Sequence, residues 1–213
     1  KAAICSGKYD IVHRITPLSP TTNSILAAKC AAAGIPFVLG PLNGGVPWPR
    51  GFDAERRREK EYLSYVRGIY KALPGRQSML RATSAILTGS EYTASEIPSA
   101  YKSKCIYLPE NAIDPSRFNL TSSQKLDAPI RGCFIGRMVP YKGPDMLLES
   151  ATPFLQDGSF ALDMIGDGPM LNELKALAAK NGVENGVKFH GWLQHDQVQK
   201  VAVQANLLTF PSV

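Results

Sequence analysis

Ile130-Arg131-Gly132-Cys133-Phe134-Ile135-Gly136-Arg137-Met138-Val139-Pro140-Tyr141-Lys142-Gly143-Pro144 joins an apolar run to a turn rich in glycine and charge, and then to a helix start. Ile130–Gly136 reads as a buried strand. Gly143-Pro144 opens a helix through Met146, Leu147, Leu148 and Ala151, because proline in the first turn lacks an N–H that the helix would leave unpaired anyway. The same alternation continues outward. Phe160–Ile165 is a second strand, and Pro169 starts a helix whose Leu171, Leu174, Leu177 and Ala178 form one face, with Gly182 as its stop. Val187–His190 is a third strand, Asp196 a cap for a helix carrying Val198, Val201, Ala202 and Ala205, and Leu207–Phe210 a fourth strand. Four short strands with three intervening helices predict a doubly wound parallel sheet.

The first half alternates less cleanly, with strands expected at Asp10–Ile15, Pro36–Gly40, Ala85–Thr88 and Lys104–Leu108. Thr21 or Thr22 is the expected cap of an Ala-rich helix ending at Gly34, and Ser90 caps one starting at Glu91. Residues 119–129 are polar and without periodicity. The expected organisation is therefore a first α/β domain over 1–118, a linker over 119–129 and a second domain over 130–213. In such sheets ligands lie beyond the carboxyl ends of the strands.

The whole chain has 24 basic and 18 acidic residues, a net charge of +6, with 44% apolar residues, an ordinary globular composition. No apolar run approaches the roughly 18 residues of a membrane span. The charge is uneven: residues 1–126 hold 17 basic and 9 acidic groups, and residues 127–213 hold 7 and 9. The excess gathers near Arg56-Arg57-Arg58 and Lys60, followed by a stripe of Tyr62, Val66, Ile69 and Leu73. This is either a solvated amphipathic helix packed on the core or a basic face for anionic lipid or an anionic acceptor. Nucleic acid is disfavoured, since no stacking pattern or recognition motif accompanies the charge. Cys5, Cys30, Cys105 and Cys133 are widely spaced in apolar stretches and read as buried reduced thiols, which points to a cytoplasmic protein. His13, His190 and His195 show no metal spacing.

Gly136, Arg137, Lys142 and Gly143 lie where a strand ends and a helix begins. A helix N-terminus attracts anions, Arg137 adds a planar fork and Lys142 a mobile point charge. They read either as a diphosphate site or as surface charges on an ordinary loop. Ile165-Gly166-Asp167-Gly168-Pro169 has two glycines of a dinucleotide fingerprint, but Leu171 stands where the third belongs, and no acidic residue follows at the right distance; NAD is disfavoured. Trp192 after the third strand is either a platform for a base or packed core. In the first half, the loop Gly40–Gly51 carries Asn43, Gly44, Gly45 and Trp48, suited to sugar hydroxyls and faces, or simply a structural turn.

These pieces, in this order, resemble the group 1 glycosyltransferases (glycosyltransferase family 4), retaining enzymes of the GT-B fold. The resemblance spans Tyr9-Asp10-Ile11-Val12-His13, the Gly40–Gly45 loop, Ile106–Asp114 with Phe118, Gly136-Arg137 with Lys142-Gly143, Ile165–Pro169, Val187–Trp192 and Phe210-Pro211-Ser212. It implies two Rossmann-like parallel-sheet units facing a cleft, the first incomplete. It further implies a nucleotide-diphosphate sugar as donor and a glycan or lipid-linked acceptor, as in polysaccharide and cell-envelope biosynthesis. Arg137, Lys142, Gly136 and Gly143 would contact the donor diphosphate, Trp192, Leu193 and Gln194 the nucleotide base, and Asn43, Gly44 and Gly45 the acceptor side. No metal or other cofactor is expected, and no catalytic residue is assigned, because many relatives carry a histidine where Asn43-Gly44-Gly45 stands. Peripheral contact with the inner membrane face is expected through Arg56–Lys60. The family's first glycine loop and its Glu, seven residues, Glu pattern are both absent, so the chain reads as a fragment, inactive alone. A non-catalytic nucleotide-sugar-binding module and a GT-B sugar-nucleotide epimerase are the alternatives.

Overall fold

The computed structural model describes residues 6–15, 23–44, 46–60, 71–122, 126 and 129–213. Its contacts divide the chain into two units, Lys1–Pro47 with Tyr62–Ala112, and Trp48–Glu61 with Ile113–Val213.

Unit 1 is a four-stranded parallel sheet in the order β1 (Val12–Arg14), β2 (Phe37–Leu42), β3 (Ala85–Thr88), β4 (Cys105–Tyr107). Helices α1 (Ile25–Ala32) and α3 (Arg76–Ala82) pack on it, and Ala27, Cys30, Phe37, Leu39, Met79, Leu80 and Ile86 form its core. Ser24, not Thr21 or Thr22, caps α1, its hydroxyl accepting from the Leu26 amide at 3.3 Å; the two threonines lie outside the described residues. Gly34 follows in the left-handed region, as expected of a residue past a helix end. Ser90 caps α4 (Glu91–Ser95) by accepting from the Thr93 amide at 3.2 Å. The last carbonyls of α3 and the Thr83 carbonyl are met by one ammonium: Lys104 Nζ donates to Leu80, Arg81 and Thr83 at 2.7–3.2 Å.

Unit 2 has the parallel order β7 (Val187–Gly191), β6 (Phe160–Ile165), β5 (Ile130–Ile135), β8 (Leu207–Leu208), the 3-2-1-4 arrangement of a Rossmann-like layer. Phe134, Leu162, Met164 and Val187 face α5 (Pro144–Gln156) and α6 (Leu171–Lys180), whose Leu148, Leu155, Leu174 and Ala178 complete the core. The alternate positions Cys133, Asp163 and Ile165 face the other way, on the side of α7 (His195–Ala202). The cap of α7 is Gln194, in a reciprocal box with Gln197, and Asp196 stands inside the first turn instead of capping it. The fourth strand is shorter than expected, Leu207–Leu208, because only Gly132 and Cys133 of β5 pair with it.

The basic run does not form one long helix. Helix α2 (Asp53–Arg58) buries no residue and stops at Glu59, and Lys60 takes a left-handed φ of 56°. Tyr62, Val66 and Ile69 of the expected stripe lie outside the described residues, and Leu73 is exposed outside any α-helix. The segment carrying α2 groups with unit 2, and the boundary before that unit falls between Ala112 and Ile113. The reason for the second point is local: Gln199 in α7 accepts from the Leu120 amide at 2.7 Å and donates to the Arg117 carbonyl at 3.0 Å, fastening 117–120 to unit 2. Cys30 and Cys133 are buried free thiols and Cys105 is half-buried, while Cys5 is outside the described residues. Among the described residues no helix is long and apolar enough to cross a membrane.

Candidate functional site

The carboxyl ends of β5, β6 and β7 deliver three loops to one place, and backbone hydrogen bonds lock these loops together. Gly136 N–H donates to Ile165 at 3.0 Å, Gly166 N–H to Gly191 at 2.8 Å, and Met138 N–H to Asp167 at 2.9 Å. Contacts this close exclude side chains. A Cβ on Gly166 would lie 1.9 Å from the Gly136 carbonyl oxygen, and one on Gly168 2.5 Å from that of Met138. The glycines of Ile165-Gly166-Asp167-Gly168 are thus needed for one loop to lie on another.

Around this junction opens a cavity of about 720 Å³, lined by Ile135, Gly136, Arg137, Ile165, Gly166, Asp167, Gly168, Trp192, Leu193 and Val198. Arg137 is exposed, and Trp192 is 66% exposed, so its indole is available for stacking and is not core. A cationic fork, polar backbone and an aromatic face around one cavity can accept a ligand that is anionic at one end and planar at the other.

Lys142 and Gly143 are not among the cavity-lining residues. Lys142 is half-buried in a short 3-10 turn (Pro140–Lys142), its Nζ 5.3 Å from the centre of the Tyr141 ring. Gly143 is the left-handed N-cap of α5, with φ of 62°. A Cβ there would meet the Pro211 carbonyl oxygen at 2.6 Å, so Pro211-Ser212 lies against this helix start, and Val213 N–H donates to Tyr141 at 3.0 Å. Gln194 also stands apart from the larger cavity and lines a second one of about 520 Å³ with Ser116, Arg117, Asn119, His195, Asp196 and Gln199.

In unit 1, β2 carries the cis peptide Gly40-Pro41 before its last residue, Leu42, and Asn43 follows. The Asn43 amide donates to Glu110, and its oxygen accepts from the Gly44 amide at 2.8 Å; Gly45 is outside the described residues. His13 Nε2 donates to the Gly40 carbonyl at 2.8 Å, which fixes its tautomer. Two buried polar atoms of the described residues have no partner, Arg14 Nη1 and Thr88 Oγ1.

Sequence reasoning missed two pairings. Asp163, 4% exposed in β6, receives His190 Nε2 at 2.6 Å and lies 3.5 Å from Arg131; a lone acidic residue inside an apolar strand was the available signal. Burial, reinforced by the Asp163 charge, pushes the Cys133 thiol from 9.0 up to about 11. A raised thiol pKa favours the fold below the unfolded value and is lost as pH climbs from about 9 through 11. The second missed pairing joins α2 to the start of α5. Arg58 Nη1 donates to Asp145 Oδ2 at 2.7 Å, its Nη2 to Glu173 Oε1 at 3.0 Å, and the Tyr141 amide donates to Glu59 Oε1 at 3.2 Å. Nothing in spacing links residues 58 and 145. The hydrogen bond to Asp145 outweighs partial burial and raises the Arg58 pKa. Among the described residues no group of three or more His, Cys, Asp or Glu side chains is arranged to hold a metal ion.

Residues 119–213 match the model of the family described as Glycosyl transferases group 1. A GDP-mannose-dependent alpha-(1-6)-phosphatidylinositol monomannoside mannosyltransferase of Mycobacterium tuberculosis is 30% identical over 160 residues, 67% of this chain and 40% of the relative. An uncharacterized glycosyltransferase of Methanocaldococcus jannaschii is 28% identical over 222 residues, 97% of this chain and 52% of the relative. The chain thus spans about half the length of these relatives, or less. Among solved structures, Anabaena HepE in complex with UDP aligns over 99% of this chain and 56% of its own, with a TM-score of 0.62 at 15% identity. The apo lipopolysaccharide outer core galactosyltransferase WaaB aligns over 99% and 52%, with a TM-score of 0.60 at 14% identity. The fold is therefore GT-B, each unit built on a parallel sheet of four strands.

Proposed function

We propose that this chain, whose second unit matches the group 1 glycosyl transferases, carries the donor-binding unit and an acceptor-side unit of a retaining glycosyltransferase that moves a hexose from a nucleotide diphosphate to a glycan or lipid-linked acceptor. The observation that carries this reading is the cavity beyond β5, β6 and β7. It lies inside the matched residues, with Arg137 on its wall and an exposed indole on its rim. As the bond from the anomeric carbon to the diphosphate breaks, its electron pair stays on the leaving oxygen. The new bond to the acceptor oxygen forms as that hydroxyl passes its proton to the departing diphosphate. Arg137, Lys142 and the start of α5 stabilise the charge that grows on the leaving group. No metal is assigned a part in this.

GDP and UDP are the probes of choice, since one relative is named for GDP-mannose and one fold neighbour was solved with UDP. Titration of the chain with each in EDTA is expected to show binding of at least one. Trp192→Ala should weaken it about tenfold, within the roughly 1–3 kcal/mol that base stacking on an aromatic contributes. Absence of binding, or a silent Trp192→Ala, would overturn the reading.

The acceptor class includes lipid-linked glycans on the inner face of a membrane. Exposed Arg57 and Lys60 supply cationic contact there, while Arg56 and Arg58 are held in ion pairs with Asp53 and with Asp145 and Glu173. Co-sedimentation with phosphatidylserine vesicles is expected to be lost on adding salt and on Arg57→Ala with Lys60→Ala. Recovery indifferent to both would refute the contact.

A further inference from the structure

The start of α5 is a poor anion site when taken alone. Pro144 has no N–H, and the amide of Met146 is held at 3.1 Å by the Oδ1 of Asp145, a side chain only 17% exposed in the first turn. That carboxylate favours the positive end of the helix, so it competes with any phosphate for the same amides and repels it besides. Arg58 answers both effects, because its fork is spent on Asp145 and on Glu173 in the first turn of α6. Glu59, the next residue, holds the Tyr141 amide, and so fixes the turn that presents Lys142 and Gly143.

We propose that Arg58 is a positioning residue for donor binding: by neutralising Asp145 it makes the first turn of α5 receptive to the donor diphosphate, while Glu59 holds the Tyr141-Lys142-Gly143 turn in place. The inference rests on the reading that the diphosphate sits at this helix start. It gives the segment 48–61 a part in donor affinity, although that segment interrupts the sequence of unit 1 and contributes no residue to the lining of the cavity.

The test is a double-mutant cycle read by calorimetric titration with GDP and UDP, alongside thermal unfolding. Arg58→Ala is expected to weaken binding about tenfold, the upper range for a charge at a partly buried helix end. In that background Asp145→Asn is expected to restore affinity to within about threefold of the starting protein, which a merely structural role of Arg58 would not produce. Asp145→Asn alone should bind as tightly as the starting protein or tighter. Weakening by Asp145→Asn alone overturns the proposal even if Arg58→Ala proves too unstable to titrate. Unchanged affinity in Arg58→Ala, or no recovery in the double variant, overturns it as well. Lys142→Ala separates the two levels. If it weakens binding while Arg58→Ala is silent, only this inference fails. If the starting protein binds neither nucleotide, or Lys142→Ala is silent, the diphosphate reading fails and takes this one with it.

Discussion

Lys142→Ala is expected to lower sugar transfer at least a hundredfold in a transfer-competent form of the protein, with little change in its unfolding temperature. The size follows from the role. A preorganised cation facing charge that develops in the transition state contributes about 3–4 kcal/mol, because it is already in place when the charge appears. The small effect on stability follows from the surroundings. Lys142 is half-buried over the Tyr141 ring, and the turn beneath it is held by backbone bonds, Lys142 N–H to Val139 at 3.0 Å and Gly143 N–H to Pro140 at 2.9 Å, which alanine keeps. Removing a half-buried lysine side chain with no ion pair to break from such a turn changes stability by less than about 1 kcal/mol. Initial rates with saturating donor, beside a thermal melt, would check both halves. A near-normal rate would remove Lys142 from the reaction, and a large drop in melting temperature would mean that the turn depends on it.

Gly166→Ala is expected to destabilise unit 2 by on the order of 3 kcal/mol or more and to abolish nucleotide binding with it. Two effects add. The residue stands at φ of 133°, where an L side chain is strained, and its Cβ would lie 1.9 Å from the Gly136 carbonyl oxygen. Backbone cannot yield as the end of a flexible side chain can, so the loops after β5 and β6 would have to part, breaking the bonds from Gly136 to Ile165 and from Met138 to Asp167. Gly182→Ala is the matched control. It has a left-handed φ of 67° but nothing within 4 Å, so only the backbone strain of about 1 kcal/mol remains. Urea unfolding of both variants would show the difference. Equal, small shifts in midpoint would mean that the loops are not packed as closely as described.

Much of unit 2 was legible because its pattern is local. Strand Phe160–Ile165 and the helix opened by Gly143-Pro144 follow from apolar runs and punctuation within a dozen residues and stand where expected, as does strand Ala85–Thr88 in unit 1. Caps were harder. Ser90 was read correctly, but Gln194 took the place of Asp196, because a glutamine reaches its own helix amides only if the chain enters at the right angle. The basic run near Arg56 misled for a similar reason. Charge at helical spacing looks like a solvated face, whereas Arg58 is tied to two acids 87 and 115 residues away.

The sequence by itself determined the alternation of strands and helices, the glycines at the strand ends and the residue types able to hold an anion and a ring. Each of these depends on neighbours along the chain, through side-chain periodicity and backbone conformation. Only the tertiary structure decided which of those residues share a cavity, that the Trp192 indole is exposed, that Gly143 at the helix start lies against Pro211 while Arg137 lines the cavity, and that Arg58 pairs with Asp145. Those relations are set where parallel strands end side by side and helices dock. Distances across a sheet are fixed by strand order and register, which local preference does not encode.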